Sequence, residues 1–264
     1  MIDHKVVSRD DDNCAQRHER LGTKKLYQRL DSQHIGVRRH GHDRNGSVNK
    51  FVREERPQTT NQNDTWHVSV SVAKELKKVS TGAKCREGKT WSHQLIDNVV
   101  PVKTHINFVM RRCGGDKDIL KRAIDNIVCH YQNQHTDCFP ESRCKTDSNY
   151  MPSRQILTDP VAVDLLSAAV QSTDVYCRPE NYVHYMDTYF VESFNNVLNI
   201  FHDKRIGTFG YSHYAMRTDL AILHWNENVM RSRISYHYRG QIWATGWDVS
   251  CQHLCGARFE LSET

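Results

Sequence analysis

The chain has 264 residues, 38% of them hydrophobic and 25% charged, with a formal net charge of +5, a pI near 8.7 and a mean hydropathy of −0.70. That length suits one large domain or a core with an insertion, and the balance is polar yet globular, with a charge that fits a nucleic-acid partner without requiring one. No apolar run approaches the about 20 residues of a membrane span and the charged start is unlike a signal peptide, so a soluble, non-secreted protein is expected. Nine cysteines, an odd and scattered set, read as reduced thiols or metal ligands of a nuclear or cytosolic protein rather than as a disulfide framework. The 16 histidines add positive charge only below about pH 6.5. A homo-oligomer stays open.

In chain order, residues 4–11 suit a strand. Residues 13–30 suit a polar helix with Leu21, Leu26, Tyr27 and Leu30 as its apolar side. Gly22, costing about 1 kcal/mol relative to Ala, is a place for a break. Residues 34–42 read as a strand ending at Asp43, and 46–55 as a helix that Pro57 stops. An acid at the carboxyl end of a strand sits where open α/β sheets place ligands, although an Asp there can also be a helix cap. Residues 58–65 are polar for a strand, and Asp64 stands in a similar passage before a helix over 69–79. Lys74, Lys77 and Lys78 lie on the exposed side of that helix, as phosphate contacts or as a solvated face.

From about 81 to 186 the pattern is helical. Short helices are expected over 91–99 and 102–112, the second led by Pro101. The strongest 3.6-residue stripe runs through Ile119, Leu120, Ala123, Ile124, Ile127, Val128 and Tyr131, with Asp116 as N-cap. At its end, Cys129 adjoins His130-x4-His135-x2-Cys138-x5-Cys144. Two imidazoles and two thiolates are a ligand set for tetrahedral Zn²⁺, which with four protein ligands would be structural, although the spacing is not that of a standard finger. Chance clustering in a His-rich chain is the plain alternative. A helix over 160–171 follows, with Asp159 as cap and Pro160 at its first position, and Cys177-Arg178-Pro179 breaks the chain after it.

Residues 187–205 read as one amphipathic helix, with Phe190, Phe194, Val197 and Phe201 in a stripe and Glu192 on the far side among Asn195, Asn196 and Asn199. There Glu192 is either a solvated surface acid or a carboxylate available to a metal. After a turn at 207–211, Ser212 caps a last helix to Asn228, its inner face drawn as Met216, Leu220 and Leu223. The tail from Arg233, with Trp243, Trp247, Cys251 and Cys255, matches no pattern, and exposed tryptophans there would make it sticky or disordered.

Four of these words, in their order and spacing, resemble the DDE-type transposases of animal cut-and-paste elements, of a Kolobok-like or Mutator-like lineage. They are His42-Asp43-Arg44 before a short helix, Asp64-Thr65-Trp66-His67 before a Lys-rich helix, Val191-Glu192-Ser193-Phe194, and Leu220 to Asn228. The resemblance covers residues 1 to about 231. It implies an α/β fold with a ribonuclease H-like core and a mainly helical insertion: 1–80 and 187–231 as core, 81–186 as insertion, 232–264 unassigned. It also implies DNA as partner and two Mg²⁺ or Mn²⁺ ions, which as hard cations select carboxylates. By the same resemblance Asp43 corresponds to the second catalytic acid, Glu192 to the third, and Asp64 to a supporting position.

The first acid has no counterpart. Residues 1–10 resemble the passage from the family's second strand into its third, so the first strand is expected to be missing. Asp3, Asp10, Asp11 and Asp12 would belong to a turn and an outer strand. Two-metal catalysis is then expected to be crippled, with two strand edges left unpaired and stability reduced. Two functions follow: a DNA nicking and strand-transfer domain, impaired here, or a non-catalytic DNA- or protein-binding remnant with a zinc-stabilised helical module.

Overall fold

The computed structural model describes residue 11 and residues 14–82, 90–202 and 210–228, together with the backbone of three strands at 234–238, 241–245 and 257–261. These residues fall into two compact units, one holding the chain up to Asn61 and from Asp187 onward, the other Gln62–Met186. The second unit therefore interrupts the first in sequence. Residues 4–10 of the expected strand, the end of the helix beyond His202, and Trp247, Cys251 and Cys255 lie outside the described residues.

In the interrupted unit, α1 (Ala15–Ser32) leads to β1 (Val37–His42), α2 (Gly46–Glu55) and β2 (Thr60–Asn63), whose first two residues close this part of the unit. Helix α1 passes Gly22 without a break, because a propensity cost of about 1 kcal/mol is outweighed by the burial its neighbours gain. Tyr27 packs against Val48, Phe51 and Val52 of α2. Helix α2 begins at Asn45, whose side chain accepts from Ser47 N at 2.9 Å and Val48 N at 3.3 Å, and Pro57 follows its end. Strand β1 is not left with an open edge, as had been expected of a missing strand. It stands between β2 and β5 (Ala257–Leu261), and pairs with β5 antiparallel from Val37↔Leu261 to His42↔Ala257. Strands β3 (Ile234–Tyr238) and β4 (Gln241–Thr245) form a separate antiparallel pair.

The same unit contains α9 (Tyr189–Phe201) and α10 (Tyr211–Asn228), packed on each other. Phe194 and Val197 meet Ala221, Ile222 and Trp225, with Phe194 and Trp225 edge to face at 5.7 Å. This corrects the expected inner face of α10: Met216, Leu220 and Leu223 are 53%, 46% and 60% exposed. Two stripes compete on this helix, and the one that buries an indole removes more apolar area from water. Arg217 Nη1 donates to the Phe201 carbonyl at 2.6 Å, satisfying a late acceptor of α9.

The inserted unit is helical: α3 (Thr65–Ser80), a 3₁₀ turn at His93–Asn98, α4 (Val99–Arg112), α5 (Lys117–Tyr131), α6 (Arg143–Thr146), α7 (Pro160–Gln171) and α8 (Asp174–Cys177). The first expected helix of the 81–186 stretch is thus only the 3₁₀ turn. Helix α4 starts at Val99, so Pro101 sits inside its first turn, where its missing N–H costs no intrahelical bond. Gly114 and Gly115, at φ +63° and +86°, turn the chain from α4 into α5. Asp116 caps α5 through Asp118 N at 2.7 Å and Ile119 N at 3.0 Å. Asp159 caps α7 through Val161 N at 3.0 Å while its other oxygen accepts from Ser92 Oγ at 2.7 Å, tying α7 to the 3₁₀ turn. Val72 and Leu76 of α3, Ile106 of α4, Ile124 and Ile127 of α5 and Leu166 of α7 share one core.

Ile124 is fully buried in that core. Ile124→Ala is expected to destabilise the inserted unit by about 2–5 kcal/mol, read as a lower urea midpoint at unchanged m-value. A second expectation concerns pH. His40 is buried on β1 and lies 3.2 Å from the Tyr27 hydroxyl; burial, with His42 beside it, holds its pKa well below the ordinary value. The folded state then resists protonation that the unfolded chain accepts, so stability is intact above about pH 6.5 and falls as pH drops below it. The urea midpoint of the interrupted unit should fall between pH 7.5 and 5.5, and His40→Gln should flatten that dependence.

Candidate active site and metal centre

The turn that carries Asp43 is built by its neighbour. His42 is buried at the end of β1. Its Nδ1 accepts the Asn45 backbone N–H at 3.2 Å, which leaves Nε2 to donate to Asn61 Oδ1, also at 3.2 Å. Asn61 Nδ2 in turn donates to Asn49 Oδ1 at 2.5 Å. Burial lowers the pKa of His42 against the opposing effect of these partners, so the ring stays neutral and its acceptor nitrogen stays available. Arg44 N donates to the His42 carbonyl at 2.9 Å and Arg44 takes φ +48°, so the chain reverses tightly around Asp43. The Asp43 side chain is exposed at the tip. Capping of α2 falls to Asn45 and not to Asp43.

Asn45 also reaches across to α1, where its Nδ2 donates to Glu19 Oε2 at 2.5 Å. Burial raises the pKa of Glu19; the Asn45 bond opposes this and the Asp43 charge adds to it. Glu19 stands on α1, close enough to the turn for the Asp43 charge to act on it. No local signal marks Glu19 in the sequence. It reaches Asp43 through the packing of α1 on α2.

The other two predicted acids are placed differently. Asp64 is buried and is the N-cap of α3, accepting from Trp66 N at 2.5 Å and His67 N at 3.4 Å. This cap starts α3 at Thr65, four residues before the expected start. It leaves Trp66 54% exposed, with the His67 ring edge-on to it at 5.0 Å. Glu192 lies in the first turn of α9 on its exposed side with Asn195, Asn196 and Asn199, while Val191, Phe194 and Val197 are buried. An acid there is favoured by the helix dipole. Among the described residues, no group of three or more ligating side chains includes Glu192.

On α3, Lys74, Lys77 and Lys78 are exposed, and Lys78 pairs with Glu75 at 2.6 Å. Asp11 pairs with Lys25, and Asp3, Asp10 and Asp12 lie outside the described residues. His130, His135, Cys138 and Cys144 converge, with one donor atom from each lying within 4.8 Å of all the others. Cys129 is not in that group. Among the described residues, no helix is long and apolar enough to cross a membrane.

Compared with known families, residues 12–144 match the model of the Mutator-like transposases. No curated protein and no solved structure matches the chain. The matched half of the chain contains Glu19, the Asp43 turn, the Asp64 cap and all four His and Cys donors, while Glu192 lies beyond it. By that match the chain belongs to the Mutator-like transposase family.

Proposed function

We propose that this chain is a transposon-derived DDE transposase domain, built on a ribonuclease H-like core, that acts on DNA in the nucleus with Mg²⁺ or Mn²⁺. The observation that carries the reading is the Asp43 turn within the family-matched segment: a buried neutral His42 fixes the backbone, and Asn45 caps α2 in place of Asp43 while also bonding Glu19. Carboxylate oxygens are the donors that hard divalent cations select. Asp43 would hold such an ion, with Glu192 as the acid the resemblance assigns and Glu19 as the acid beside Asp43. When bound, the metal supplies activation of a water or 3′-hydroxyl and charge stabilisation at the phosphodiester. The residues of this chain supply position. The His42–Asn61–Asn49 series holds the turn, and Asp64 fixes the first turn of α3, whose exposed lysines would meet phosphate.

A second reading, a non-catalytic DNA- or protein-binding remnant, is favoured by a different observation. The described structure gathers the His and Cys donors closely but puts Glu192 in no comparable group.

Nicking of supercoiled plasmid with Mn²⁺ by the full chain decides between them. Under the first reading the parent nicks slowly, as expected of a site lacking a counterpart of the first acid, and Asp43→Asn and Glu192→Gln each lower that residual rate further, as loss of a group acting in the transition state does. Glu19→Gln should lower it by about 10–100-fold if Glu19 serves in the outer shell of the metal. A folded parent that binds DNA in a salt-dependent way and does not nick would establish the second reading instead.

A further inference from the structure

His130 ends α5, and the chain then turns back. Asn133 takes φ +63°, and Gln134 N donates to the Cys129 carbonyl at 2.9 Å. This turn brings His135 and Cys138 up beside His130, and α6 delivers Cys144 from the other side. Cys138 Sγ lies 3.4 Å from His130 Nδ1 and 3.8 Å from His135 Nδ1, and Cys144 Sγ lies 3.9 Å from His130 Nδ1. Zinc bonds of about 2.0–2.1 Å to nitrogen and 2.3 Å to sulfur, at tetrahedral angles, separate the donors by roughly 3.3–3.8 Å. A single S–H···N hydrogen bond would account for one of these pairs, but four donors meeting at one point need a shared partner.

The surroundings are arranged as an outer shell. Asn133 Oδ1 holds His135 Nε2 at 3.0 Å, which leaves Nδ1 as the free donor pointing inward. Asn126 Nδ2 donates to Cys138 Sγ at 3.4 Å, a bond suited to a thiolate. The Tyr150 ring stands edge-on to His135 at 5.2 Å and covers it.

A second, independent observation comes from burial. From Gln132 to Tyr150, nineteen residues in succession, no side chain is fully buried, and the one that packs against the core, Phe139, is itself partly exposed. Apolar burial cannot hold so long a segment in one conformation, and small metal-bound segments take that stabilisation from the ion.

We propose that His130, His135, Cys138 and Cys144 bind one structural Zn²⁺ per chain, closing the segment between α5 and α7. With two soft and two borderline ligands, tetrahedral zinc is the matching ion, and four protein ligands leave no position for a substrate. This site is independent of the Asp43 turn, so nicking activity can be absent and the zinc site still stand.

The test is metal analysis of the full chain purified under reducing conditions, followed by exchange of zinc for Co²⁺. One equivalent of zinc is expected, and the Co²⁺ form should show the intense visible bands of a tetrahedral S₂N₂ site together with a sulfur charge-transfer band. Cys144→Ser should weaken that charge-transfer band. Asn126→Leu, which removes no ligand, should keep the bands and weaken zinc binding by about 10–100-fold. A folded parent with no zinc and reactive thiols, a mass deficit from a Cys138–Cys144 disulfide, or Co²⁺ bands indifferent to Cys144→Ser would overturn the assignment.

Discussion

The hydrogen bond from the Asn45 amide to His42 Nδ1 is the constraint on which the Asp43 turn depends. It requires a neutral imidazole in one tautomer, and burial at the end of β1 provides that. Once Nδ1 is an acceptor, Nε2 must donate, and Asn61 and Asn49 extend the series into the start of α2. Protonating His42 would put a hydrogen where the Asn45 N–H now points, so the turn, the cap of α2 and the approach of Glu19 rest on one ring. A buried imidazole is costly as a cation but inexpensive as a fully bonded neutral group.

The inserted unit is stabilised in two ways along its length. Residues of α3, α4, α5 and α7 share an apolar core, and caps at Asp64, Asp116 and Asp159 start three of those helices. From Gln132 to Tyr150 only Phe139 packs against that core, and the side chains that converge are two His and two Cys. A segment with so little apolar burial gains from a second source of order, and the His and Cys side chains stand where one would act.

The two units carry different chemistry. Asp43, Glu19 and Glu192 are carboxylates of the interrupted unit, the donor type that a hard cation would select. The inserted unit offers nitrogen and sulfur in a closed set, suited to a retained one. Loss of one would not entail loss of the other.

Much of this was legible in the sequence because it is local. Helices α2 and α7 keep their expected bounds, and Asp116 and Asp159 cap as their positions imply, since a cap bonds backbone groups two or three residues away. His130, His135, Cys138 and Cys144 stand out in the sequence as a cluster, and the fold brings the four together. What the sequence could not decide depends on partners distant along the chain. Met216, Leu220 and Leu223 form as regular a stripe as Ala221, Ile222 and Trp225, and only the presence of Phe194 on α9 selects the second. Nothing near Glu19 in sequence points to Asp43. Their proximity arises when Tyr27 packs on α2, and Asn45 then spans the gap. Caps and periodicity are fixed by bonds within a few residues, whereas the buried face of a helix and the neighbours of an acid are fixed by which apolar surfaces the folded chain brings together.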